Sequence, residues 1–166
     1  MRTITKKITI CAMLSALGTL SLLITNILPT VTVFFFLFST FFTYIATEEC
    51  GMRYGFSTCA VITMLGFVIV ANKVDMVAYS VIFTHYPLVK HFVDHKISKK
   101  TIRWVIKLLW MSLLSIVAYY IIVQFAPFEE TLWLMYLLLV AVFVMYDIIL
   151  EKGILFYAIR LRKFKF

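Results

Sequence analysis

Apolar residues run through this chain in six long stretches, 8–28, 31–47, 55–71, 74–92, 102–123 and 132–151, separated by brief polar interruptions. Each is near the ~20 residues that a helix needs to cross about 30 Å of hydrocarbon, the second and third being somewhat short. Uninterrupted apolar runs of this length predict helices set in lipid, not the one-sided helices of a water-soluble core. The expected fold is therefore all-α: a polytopic membrane protein in which 1–166 forms a single six-helix bundle ending in a basic tail. Because the connections are short, consecutive helices should pack antiparallel.

Charge sets the orientation. Arg2, Lys6 and Lys7 precede the first stretch, and Arg53 follows the second. Lys90, Lys96, Lys99, Lys100, Arg103 and Lys107 surround the fourth connection, and Lys152, Arg160, Arg162, Lys163 and Lys165 close the chain. Of the sixteen Lys and Arg residues only Lys73 falls on the opposite side, together with the acids Asp75, Glu129 and Glu130. The positive-inside bias then predicts both termini in the cytoplasm and a multi-pass protein of the inner (plasma) membrane of a bacterium. Composition agrees: with 63% apolar and 14% charged residues, too little polar surface exists to clothe a soluble globule. The net charge of +8 flanks helices instead of forming a water-facing patch, so anionic lipid headgroups, not nucleic acid, are its expected partner.

A basic start followed by an apolar run can also signal secretion. Here the run from Ile8 to Leu28 is about twice a usual signal-peptide core and meets no small-x-small cleavage site, so it is expected to stay as a membrane helix. Cys11, Cys50 and Cys59 show no metal-type spacing and read as small buried residues. Gly51 is the expected hinge of the tight turn 48–53, while Ala71, Asn72, Lys73, Val74 and Asp75 make an unusually polar exterior turn. Tyr119, Tyr120, Trp133 and Tyr136 bracket the fifth connection as an interfacial aromatic belt would.

Ala12, Ser15, Ala16 and Thr19 recur at i, i+3, i+4 and i+7 on the first helix, a continuous stripe of small residues. In lipid such a stripe admits another helix closely. It serves either this bundle's own packing or docking on a second protein. The six helices, the basic N-terminus and Ala12-x-x-x-Ala16 together resemble the S-components, the substrate-binding subunits of energy-coupling factor (ECF) transporters. Asn72-Lys73, Tyr79, Phe83, Tyr86-Pro87 and Lys90, then Arg103-Trp104 and Lys107-Leu108, resemble a group of small S-component-like bacterial membrane proteins. The resemblance implies capture of a small solute, such as a vitamin or related micronutrient, from the exterior. It also implies that the alanine motif meets a membrane T-component seated on two ATPase subunits.

On that reading the pocket opens toward the exterior turns. Asn72 offers amide groups and Lys73 a point charge for an anion, with Tyr79 on the wall. Asn26, Thr30 and Thr32 add hydrogen-bonding groups, and Trp133 or Tyr136 a stacking surface. Lys73 equally well pairs with Asp75 or Glu130, or simply meets water. His85 lies midway along the fourth stretch, where Pro87 must loosen the helix near Phe83 and free a carbonyl; His85 is either a pocket floor or the partner of that defect. Asp147 is expected to pair with Lys107 or Arg103.

Enzymatic signatures are sparse. Glu48-Glu49-x-x-x-Arg53 with His85, His91 and His95 downstream matches the E-E-x-x-x-R of CAAX-type intramembrane proteases, but the glutamates fall in a short turn and no F-x-x-x-H is present. His91 and His95 at i, i+4 form a metal-type face, although Lys90 and Lys96 beside them should repel a cation, so no metal is expected. No phosphate loop occurs, so neither a cofactor nor catalysis is expected of this chain, and any ATPase must be another one. A small structural or assembly protein would explain the helices and the stripe as well as a transporter subunit does, but leaves the polar third turn and His85 without a role.

The topology has a direct check. In a background lacking Cys11, Cys50 and Cys59, single cysteines replacing Lys73 or Phe128 should react with an impermeant thiol reagent in intact cells, and those replacing Ser98 or Phe164 should not. Labelling at Ser98 from outside would overturn the scheme.

Overall fold

The structure, a computed structural model, describes residues 4–125 and 132–157. It is helical, with no strand among the described residues. The helices are α1 (Ile4–Ile24), α2 (Thr32–Cys50), α3 (Met52–Ile69), α4 (Lys73–Ala78), α5 (Tyr86–Lys96), α6 (Lys100–Phe125) and α7 (Leu132–Phe156). The chain divides into two compact units, Met1–Pro127 and Phe128–Phe166, so α1 to α6 belong to one and α7 to the other. Among the described residues, three segments, Ile4–Ile24, Pro29–Cys50 and Met52–Ile69, are long and apolar enough to cross a membrane.

The first unit keeps an apolar outer surface and buries many small and hydroxylated residues beside its apolar core. Val68 is 79% exposed and Met64 71%, and Phe34, Phe56, Leu17 and Leu20 also face outward. Ser15, Thr19, Ser39, Thr40, Thr43, Thr47 and Thr58 are instead buried between the helices. An apolar exterior over a core of small and hydroxylated residues marks a membrane protein, where lipid solvates the leucines and helices meet through small side chains. Most inner hydroxyls return their proton to their own helix: Thr19 to the Ser15 carbonyl at 2.8 Å, Thr47 to Thr43 at 2.8 Å, Thr63 to Cys59 at 2.9 Å. Hydroxyls bonded in this way need no water on these faces, so the backbones can close up.

Helices α1, α2 and α3 run up, down and up. The Cys50 thiol at the end of α2 donates to the Lys7 carbonyl near the start of α1 at 3.7 Å, while the end of α1 meets the end of α3 through Asn26. Only Gly51 separates α2 from α3, with φ of 102°, a left-handed conformation that disfavours any side chain. The expected hinge is therefore a single residue, and Glu48 and Glu49 lie in the last turn of α2, not in a loop.

The fourth apolar stretch is not one helix. It breaks into α4, a π-helical turn at Tyr79–Phe83, a bend at Thr84 and His85, and α5. Pro87 explains the break, since it lacks an N–H and its ring displaces the carbonyl four residues back. The Thr84 N–H reaches back five residues to the Tyr79 carbonyl at 3.1 Å, and the Thr84 hydroxyl donates to the same oxygen at 3.1 Å. The Cys59 thiol of α3 donates to the Thr84 carbonyl at 3.4 Å. Loosening around Phe83 was expected; it is the Thr84 carbonyl in the bend that takes Cys59 as a partner, while His85 is exposed.

Close approach at Gly55 gives a stability test. A Cβ there would lie 2.8 Å from Thr47 Cβ and 3.0 Å from Thr47 Cα, so α2 and α3 would have to part. Gly55→Ala should lower stability by ~1–3 kcal/mol, the usual scale of overpacking. Gly66→Ala, which meets the flexible ends of Leu22 and Met76, should cost less in the same thermal-unfolding assay in detergent.

Candidate functional site

Chemistry-bearing side chains of the first unit gather at its two ends. At the exterior end by the charge rule, Asn26 uses its whole amide: Nδ2 donates to the Ile69 carbonyl at 2.9 Å and Oδ1 accepts from the Ala71 N–H at 2.9 Å. It thereby ties the first turn to the third. Asn72 caps α4, its Oδ1 accepting from the Val74 N–H at 3.1 Å. Lys73 folds back over the end of α3, and its ammonium donates to the carbonyls of Phe67 at 2.6 Å and Val70 at 2.7 Å. Those carbonyls lack intrahelical partners, and a cation there also complements the negative end of the helix dipole. None of the alternatives weighed from the sequence, an acidic partner, open water or a solute, accounts for these two bonds. The lysine is a helix cap with one N–H donor left over.

Tyr79 sits deeper than the turn. It is 1% exposed, its hydroxyl shares a hydrogen bond with Ser39 at 3.0 Å, and its ring lies 5.0 Å from that of Phe36. It packs among Leu22, Phe36, Ile62, Val70 and Met76. The first and third turns thus come together through Asn26, and His85 is exposed. Trp133 lies in α7, and its side chain, like residues 126–131 of the fifth connection, is outside the described ones.

On α1 the small-residue stripe divides. Ser15 and Thr19 are buried with Cys11 and Gly18, and Gly18 meets Ile62 of α3 and Ser39 of α2. Ala12 and Ala16 are exposed, between Met13, Leu17 and Leu20 on the outer surface. Part of the stripe therefore serves packing within the first unit, and the alanine pair lies on that unit's surface.

The basic end holds two clusters. In the first, Asp94 of α5 receives Lys107 of α6 at 2.9 Å, Arg103 at 3.7 Å and Lys90, one turn earlier, at 3.9 Å. Lys90 and Lys107 are 1% and 5% exposed. Lys107 and Arg103 thus both reach Asp94 within the first unit, while Asp147, the partner expected for one of them, belongs to the second. In the second cluster Glu48 Oε2 stands 3.4 Å from His91 Nε2, and the His91 and His95 rings stack at 4.2 Å. Tyr44 packs edge-on against His91 at 6.1 Å, and His95 Nδ1 is 3.0 Å from the His91 carbonyl. This convergence meets part of what the E-E-x-x-x-R reading demanded. The exposure of His95 leaves the required shielding from solvent unmet.

Both clusters left signals in the sequence: lysines inside apolar runs, and an i, i+4 histidine pair. What the sequence lacked was the register of α5 against α2, which depends on the break before Pro87.

Removing the Asn26 clamp should be costly. Asn26→Ala loses two hydrogen bonds and leaves a carbonyl and an N–H unmatched, predicting ~1–3 kcal/mol of destabilisation by thermal unfolding in detergent. An unchanged midpoint would mean that water replaces the amide freely. No family model, curated protein or solved structure matches this chain.

Proposed function

We propose that this chain is the substrate-binding membrane subunit of an ECF-type uptake transporter, a six-helix bundle with both termini in the cytoplasm of a bacterial cell. The observation that carries the reading is the division of the α1 stripe. Ala12 and Ala16 stay on the outer face at i, i+4 while Ser15 and Thr19 are taken up by the bundle. Small residues one turn apart on an apolar outer face let a partner helix approach to backbone contact, which a T-component would supply. The solute, a small molecule such as a vitamin or related micronutrient, would enter between the first and third turns. Asn26 and Asn72 frame that entrance, and the remaining Lys73 donor would meet an anionic group.

A second reading, a small structural or assembly membrane protein, draws on the same end of the molecule. Asn72 and Lys73 of the third turn are bound to main-chain groups, and this gives them a role without any solute.

Co-purification decides between the two. Tagged wild-type protein should bring down a T-component and two ATPases. Ala16→Leu should abolish that association while leaving stability to thermal unfolding within ~0.5 kcal/mol of wild type, since an outward-facing position tolerates bulk. Absence of ATPases from the wild-type eluate would favour the assembly reading, and misfolding of Ala16→Leu would place the alanines inside the bundle.

A further inference from the structure

We infer that Glu48, His91 and His95 form a binding site for a borderline divalent metal ion of the zinc class, joining the cytoplasmic ends of α2 and α5. One ligand atom from each of the three residues lies within 4.8 Å of the others. The 3.4 Å between Glu48 Oε2 and His91 Nε2 is not a hydrogen bond, because Oε2 is buried and accepts none. A buried carboxylate oxygen facing an imidazole nitrogen without a shared proton lacks the partner it needs. A metal ion supplies that partner. Bonds of about 2.0–2.2 Å in tetrahedral geometry place neighbouring ligand atoms about 3.3–3.5 Å apart.

The second imidazole is prepared for the same task. His95 Nδ1 lies 3.0 Å from the His91 carbonyl, so it carries the proton and leaves Nε2 bare. A ring N–H given to a backbone carbonyl is the usual outer contact of a metal-bound histidine, because it fixes tautomer and ring orientation. Tyr44 holds the His91 ring from the side. His95 is exposed, which gives an ion its path in.

The objection from the sequence was that Lys90 and Lys96 would repel a cation. Neither ammonium is directed at the site. Lys90 is drawn to Asp94, and Lys96 lies over the Phe92 ring at 4.8 Å from its centroid. Lys7, whose carbonyl meets the end of α2, lies over Tyr54 at 5.5 Å. Two imidazoles and a carboxylate suit Zn²⁺ and its neighbours among the transition metals better than Mg²⁺ or Ca²⁺, which favour oxygen. Three protein ligands also leave a fourth position open to water or another donor.

The test uses the full chain, purified in detergent through a tag free of histidine. Titration with Zn²⁺ alone should show one equivalent bound and a raised thermal midpoint, as for any ligand confined to the folded state. Glu48→Gln, His91→Ala and His95→Ala should each weaken binding by roughly tenfold or more, since loss of even an outer contact costs 10–100-fold. Lys96→Ala should bind as wild type does. A second measurement needs no variant. Of the three histidines, zinc should protect His91 and His95 from diethyl pyrocarbonate while leaving the reactivity of His85 unchanged. No zinc taken up by the wild type, equal affinity in the Glu48→Gln protein, or equal protection of His85 would each overturn the site.

Discussion

The structure depends on how closely its helices approach in a medium that offers no hydrophobic drive between them. Leucine gains little by moving from lipid to a helix interface, so cohesion must come from dispersion between backbones and from satisfied polar groups. Gly18 against Ile62 and Ser39, and Gly55 against Thr47, are the places where α1, α2 and α3 achieve this. Inner hydroxyls such as Thr19 and Thr47 are bonded one turn back on the same helix and ask nothing of the neighbour, whereas Ser39 reaches across to Tyr79. The exposed leucines and phenylalanines follow from the same constraint.

A second requirement, that no backbone group be left bare in the membrane, shapes the break before Pro87. Removing one N–H from an otherwise regular helix unsettles several carbonyls. The chain answers with a wider turn at Tyr79–Phe83, a doubly used Tyr79 oxygen and a thiol from α3. The local repair has distant effects. It sets where α5 begins and which of its side chains meet α2, and so places His91 beside Glu48 while Lys90 turns toward Asp94.

This explains which features were legible in the sequence. Apolar stretches and the distribution of charge depend on single residues and their solvent, so helix positions, the Gly51 hinge and the chemically distinct ends of the first unit could be read directly. Pro87 announced a break for the same reason. Pairings across helices depend on register, which periodicity does not encode. Lys73 had several acceptors within plausible reach, and only the path of the chain from α3 to α4 shows it folded onto Phe67 and Val70. Likewise Ser15 and Thr19 part from Ala12 and Ala16 because α2 and α3 cover one side of α1, a choice that four similar small residues cannot reveal.

The two ends of the first unit use polar side chains differently, and the difference bears on where chemistry can occur. At the sparse end Asn26, Asn72 and Lys73 bond to main-chain groups that would otherwise be unmatched. Diverting them to a ligand exposes a helix terminus or a turn, so a solute there competes with the fold. At the basic end Glu48, His91 and Asp94 meet other side chains. A ligand arriving between side chains replaces one partner with another and leaves the backbone bonds intact. The buried Glu48 oxygen goes further, because it has no hydrogen bond to surrender. Binding there relieves an unsatisfied group, whereas binding at Lys73 must draw on its one uncommitted donor or break a cap. Among the described residues, the basic end is therefore where a ligand can be gained at the smallest structural cost.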